Sequence, residues 1–219
     1  MTPVPPAPDR PGPFTCELSG LIASAAFTSG HRFVVGLWDD SPLGPMNDVM
    51  WASPAGERVL LVARAEVGDF ISAVYRFERV EEVALECRWD GPALRVQGGD
   101  LALTMTAGRG WRIPLGRLRS RAAFRSVEAL VARRLLGVRT YGTSPTGVFE
   151  WYRADHYQRV LDARASLAGR DLGSLSRFFR PAGFGFSEPP RRASVVRVRP
   201  VLVDTTGELE PVVDRLRSP

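Results

Sequence analysis

The chain has 219 residues, 44% of them hydrophobic and 24% charged, a balance that supports a packed core and excludes wholesale disorder. Its net charge is +5 and all 29 of its cationic side chains are arginine, so there is no side-chain amine for a Schiff base and no P-loop lysine for a nucleotide phosphate. Two cysteines, Cys16 and Cys87, are too few for a disulfide framework or a zinc cluster, which predicts two buried free thiols and a reducing, cytoplasmic location.

Residues 1–12, MTPVPPAPDRPG, are Pro-rich and expected to be an extended or disordered tail; they lack the apolar core of a secretion signal. No run of about 18 apolar residues follows, so no membrane span is expected. Alternation then predicts a strand in RFVVGLW (32–38) and a hairpin in which NDVMWAS (47–53) and RVLLVAR (58–64) flank the turn PAGE. AEVGDFISAVY (65–75) places Val67, Phe70, Ile71 and Val74 on one helical face. Alternation returns over 80–89, with Leu85, Cys87 and Trp89 opposite Glu86 and Arg88, and again in LALTMTA (101–107).

SRAAFRSVEALVARRLLG (120–137) is the best helix in the sequence. Ser120 suits its start, five apolar residues from Phe124 to Leu135 repeat at helical spacing, and Gly137 suits its stop. Strand patterns resume in VRTYGTS (138–144), VFEWYRA (148–154) and RVLDARASLAG (159–169). A Gly- and Pro-rich stretch (180–192) precedes a last strand, VVRVRPVLV (195–203). The count predicts one β-rich α+β domain over 13–204, a mostly antiparallel β-barrel or sandwich with two peripheral helices. Residues 205–219 read as a C-terminal surface appendage.

The two histidines stand in no metal-ligand spacing, so no metal site is expected. His31 follows a Ser-Gly turn and reads as structural. His156 lies in EWYRADHY (150–157) beside an acid, aromatic rings and an arginine, which suits acid/base work. Arginines alternating through 195–203 resemble a solvated sheet face, and neither a nucleic-acid nor a membrane partner is expected. Arg139 and Arg153, with Tyr141, Trp151 and Tyr152 on a predicted hairpin, form a set suited to an acidic, partly apolar ligand. The alternative is that these arginines pair with Glu150 and Asp155 on a solvent face. AGFGFSEPP (182–190) reads as a tight surface loop or as a flap over a pocket.

WDDSPLGPMND (38–48) carries Ser-Pro and Gly-Pro turn signals, so it is expected to be a long connection in which Asp39, Asp40 and Ser41 bond backbone amides while Trp38 and Met46 cover one end of the core. RFVVGLWDDSPLGPMNDVM (32–50) also resembles the strand, turn and strand of acetoacetate decarboxylase-like proteins. That resemblance implies a cone-like barrel around an apolar cavity, with Asp48 in the place of a pocket acid. Val34 stands where the family has a second glutamate, and no lysine exists to form the imine, so the family's decarboxylation does not carry over. Asp48 and His156 are the candidate catalytic residues, and Trp38, Met46, Arg139, Tyr141, Trp151 and Arg153 the candidate ligand contacts; no cofactor is expected. The function read from these is a small-molecule-binding barrel, acting without cofactor on a carboxylated or polyketide-like metabolite. A non-catalytic carrier and a protein-interaction module are the alternatives, and a homo-oligomer is compatible with each.

Overall fold

A computed structural model describes residues 13–113 and 141–217. The Pro-rich tail, the helix expected at 120–137 and Arg139 lie outside the described residues. Alternating sequence becomes strand almost throughout: β1 (Phe14–Glu17), β2 (Ser19–Phe27), β3 (Arg32–Asp40), β4 (Met46–Ala52), β5 (Arg58–Val62), β6 (Arg79–Glu82), β7 (Glu86–Asp90), β8 (Ala93–Gly98), β9 (Leu101–Arg112), β10 (Tyr141–Thr143), β11 (Phe149–Leu167), β12 (Arg170–Asp171), β13 (Leu175–Ser176) and β14 (Ser194–Asp204). Two helices are described, α1 (Ala65–Val74) and α2 (Leu209–Arg217), and neither is long and apolar enough to cross a membrane.

The strands form one sheet in the order β6-β5-β4-β3-β2-β14-β11-β9-β8-β7. Every pairing is antiparallel except β5 with β6, where the parallel step is made by a crossover through α1, as parallel neighbours require. The two ends of the sheet, β6 and β7, are separated in the chain only by Val83, Ala84 and Leu85. The sheet therefore curls, and Leu85 fills the seam so closely that a Cβ on Gly98 would lie 2.8 Å from its Cδ1. The β-rich α+β class read from alternation is thus the class of the folded chain. One long strand, β11, replaces the two strands expected over 148–169. No Gly or Pro interrupts it, and its irregularities are absorbed as register shifts near Ala154 and Val160 instead.

The sheet has two buried faces. On the first, Val59 and Leu61 of β5 meet Leu94 and Val96 of β8 in one cluster with Phe33, Val35, Leu103 and Met105, so opposite ends of the sheet enclose a common core. On the second, Trp38, Met46, Met50 and Val62 pack against Val67, Phe70, Ile71 and Val74 of α1. Full burial of each such side chain contributes about 1.5–3 kcal/mol.

The segment expected as a surface appendage joins this second core. Asp204 caps it, Oδ1 accepting from the Thr206 amide at 2.7 Å and Oδ2 from the Leu209 amide at 2.8 Å, and α2 then buries Leu209 and Val213 completely. Its polar composition hid three apolar positions, Leu209, Val212 and Val213, at helical spacing.

Candidate functional site

Residues 150 and 152 share one side of β11 because side chains alternate along a strand. Tyr152 packs in the second core and Glu150, paired in register with Leu202 of the same core, is fully buried. Tyr75 caps the C-terminal end of α1, its amide bonded to the Ile71 carbonyl at 2.8 Å. The helix end is tied to the β10–β11 turn by Thr146, whose Oγ1 donates to the Val74 carbonyl at 2.8 Å. This tether brings Tyr75 to Glu150. The Tyr75 hydroxyl donates to Glu150 Oε2, Tyr152 donates to the same oxygen at 3.2 Å, and the two hydroxyls lie 2.6 Å apart. Glu150 Oε1 is buried without a partner among the described residues.

Asp48 faces the same core from β4. Trp38 Nε1 donates to its Oδ1 at 2.9 Å, and Gly36 makes room for the bond, since a Cβ there would stand 2.2 Å from Oδ1 and 2.6 Å from Nε1. Met46 is the register partner of Trp38. Asp48 is 1% exposed, and its Oδ2 also has no partner among the described residues.

Burial pushes Glu150 up to about 7, against the opposing pull of the two tyrosine hydroxyls, and pushes Asp48 up to about 6 against the Trp38 bond. Burial, reinforced by the charge of Glu150, holds both phenols well above their ordinary range. Asp48 also acts on Tyr152, so the two acids share one electrostatic neighbourhood. The Gly-rich stretch forms the cover: Phe186 stacks at a tilt 5.9 Å from Tyr152, and a Cβ on Gly185 would stand 2.6 Å from the Tyr75 ring. Glu188 staples this loop by accepting from the Ala182 and Gly183 amides at 2.6 and 3.0 Å.

Of the residues singled out in the sequence, the structure brings Trp38, Met46 and Asp48 together. Tyr141 and Trp151 face each other across β10 and β11, and the Arg153 guanidinium lies 5.3 Å over the Trp151 ring; this trio is a separate group on the opposite side of β11. Arg153 is paired with Glu17 at 2.6 Å, not with Glu150, while Asp155 is paired with Arg199 at 2.9 Å. Of the three residues expected to bond backbone amides, Ser41 accepts from the Leu43 amide at 3.0 Å, and Asp39 instead pairs with Arg197 at 3.0 Å. His31 is structural, its Nδ1 accepting from Trp51 Nε1 at 2.9 Å. Cys16 and Cys87 form no disulfide among the described residues, and each is only partly buried.

His156 does not meet Asp48. It is the register partner of Arg197, which pairs with Leu21, a residue packed on the first core. There it lines an open cavity of about 800 Å³. Among the described residues no three His, Cys, Asp or Glu side chains converge to hold a metal ion.

Sequence reasoning missed Glu150 and Tyr75 as site residues. Strand parity was the available signal for Glu150 and Tyr152, whereas Tyr75 is 75 positions away from its partner.

No family model matches the chain, and no curated protein does. Its fold is similar to that of a solved acetoacetate decarboxylase, at 10% identity over 89% of this chain and 88% of that one, with a TM-score of 0.45. It is similar also to the crystal structure of acetoacetate decarboxylase from Legionella pneumophila, at 9% identity over 91% and 90% of the two chains, with a TM-score of 0.41. Likeness at this level concerns the fold alone.

Proposed function

We propose that the protein binds a small organic metabolite against the second face of its sheet and moves a proton on it with Glu150, without a cofactor. The observation that supports this reading is the orphaned Glu150 Oε1, buried in an apolar layer while its other oxygen is held by two hydroxyls. Buried polar atoms are almost always satisfied, so an orphan there marks where a ligand group completes the bonding. A base poised near neutrality suits proton transfer at physiological pH, and Glu150 sits there. The metabolite class is a carboxylated or polyketide-like molecule with a C–H bond acidified by a carbonyl. Its proton passes to Oε1, leaving an enolate, and returns from the same oxygen; Tyr75 and Tyr152 steady the intervening carboxylate through Oε2. Asp48 serves as the second acid, with Trp38 fixing its orientation. No lysine is present to form an imine through a side-chain amine.

Deuterium exchange in D₂O, followed by NMR on a panel of β-keto acids and 1,3-diketones, tests this. Wild-type protein exchanges the acidified position of at least one member, and E150Q slows that exchange about a hundredfold. A molecule retained in native mass spectrometry of host-purified protein, with no exchange, replaces the enzyme with a carrier. Neither exchange nor a retained molecule leaves the protein-interaction reading.

A further inference from the structure

Three neighbouring strands of the first face place their basic groups in a single row. His156 of β11 is the register partner of Arg112 on β9 and of Arg197 on β14. Directly opposed side chains on antiparallel strands have Cβ atoms about 4.5–5.5 Å apart, where like charges destabilise the sheet. The row forms a wall of the 800 Å³ cavity, and Leu21, Ala107 and Trp89 supply its apolar surface.

The position of the imidazole is built in. A Cβ on Gly110 would stand 2.1 Å from His156 Cε1 and 2.5 Å from Nε2, so the ring lies across bare backbone of β9. The irregularity between Ala154 and His156 re-aims the side chain, as bulges do. Counter-charge within the cavity is short. Arg197 shares Asp39 at the rim at 3.0 Å, the Asp155 carboxylate is engaged by Arg199, and Arg112 has no ion pair among the described residues.

We propose that this cavity is a binding site for an amphipathic organic anion, its carboxylate held between Arg112 and Arg197 beside His156 and its apolar body laid on Leu21, Ala107 and Trp89. Guanidinium groups suit a carboxylate through paired, charge-assisted bonds. The site lies on the opposite face of the sheet from Glu150 and does not depend on the acid/base role given to it.

Calorimetric titration of the full chain with phenylacetate, and with phenylacetamide as its uncharged counterpart, tests the proposal. Phenylacetate binds, and the amide binds at least about tenfold more weakly, the worth of one charge-assisted hydrogen bond. R112A and R197A each weaken phenylacetate about tenfold and leave the amide unaffected. R164A removes one unit of charge at a side chain 88% exposed and outside the row, and it changes neither affinity. Should R197A lose structure with its Asp39 pair, R112A decides alone. Competition by inorganic phosphate at equal concentration would shift the ligand class from carboxylate to phosphate. Equal affinity for acid and amide, indifference to R112A, or no binding of either probe overturns the site.

Discussion

The two faces of this one sheet handle charge in opposite ways. On the second face Glu150 and Asp48 are withdrawn from water and held by a few fixed donors, two phenols and an indole. On the first, Arg112, His156 and Arg197 stand at an open mouth and are aligned by strand register. In Glu150-Trp151-Tyr152-Arg153 alternate residues go to opposite sides, but Glu150 and His156 share parity, and it is the irregularity between Ala154 and His156 that sends His156 to the first face. The difference teaches where each region's free energy resides. Burial shifts the protonation of the acids and makes them costly to disturb, whereas solvated arginines contribute little to folding.

The largest expected effect is on the pH dependence of stability. Glu150 has its carboxyl raised from 4.5 to about 7 and Asp48 from 3.8 to about 6. Because the folded-state values are the higher ones, the unfolded chain releases these protons first as pH rises. Their contribution to stability is therefore complete below about pH 4, falls between about pH 4 and 7, and is flat above, with an upper limit of about 3 kcal/mol lost per acid. Glu78, held down to about 2 chiefly by its bonds from Arg58, titrates with the opposite sign, so the informative quantity is the difference between wild type and variant. Urea unfolding from pH 4 to 8 should show that E150Q and D48N each remove part of the decline. An unchanged slope in both would mean that the acids are not held as the second face implies.

Next in size is deletion of the buried carboxyl. E150A strips the acceptor shared by Tyr75 and Tyr152 and leaves a void, at a cost of about 3 kcal/mol by chemical denaturation at pH 6. R112A, on the exposed rim, should stay within about 0.5 kcal/mol of wild type. Similar losses for the two variants would break the contrast between the faces.

Much of this architecture is legible in the chain, because periodicity is a local signal: alternation marks the strands and three-to-four spacing the buried face of 65–75, whereas Asp48 was marked only by the resemblance of 32–50 to a known family. The Tyr75–Glu150 contact is not local. It exists because the α1 crossover ends beside the β10–β11 turn, and nothing near Glu150 announces a tyrosine 75 positions away. The basic row escaped for another reason: Arg112, His156 and Arg197 come from three strands, and two register shifts in β11 decide which residues oppose one another. A one-residue slip would send each side chain to the other face. The C-terminal helix was hidden by charged neighbours around three apolar residues.

Two glycines allow the comparison at nearly matched geometry. A Cβ at Gly36 would stand 2.2 Å from Asp48 Oδ1, and one at Gly110 would stand 2.1 Å from His156 Cε1. G36A forces the carboxyl away from Trp38 within a packed core, where neither group finds a new partner. It should cost about 2 kcal/mol, alter tryptophan fluorescence, and steepen the pH-linked loss of stability as Asp48 forfeits the bond that favours its charged form. G110A meets the tip of a half-exposed ring that can turn toward the open cavity, so its cost should remain within about 0.5 kcal/mol, while phenylacetate binding weakens because the imidazole leaves the row. Equal stability losses at the two glycines would show that what separates the faces is backbone crowding in the strands rather than burial of the groups the glycines accommodate.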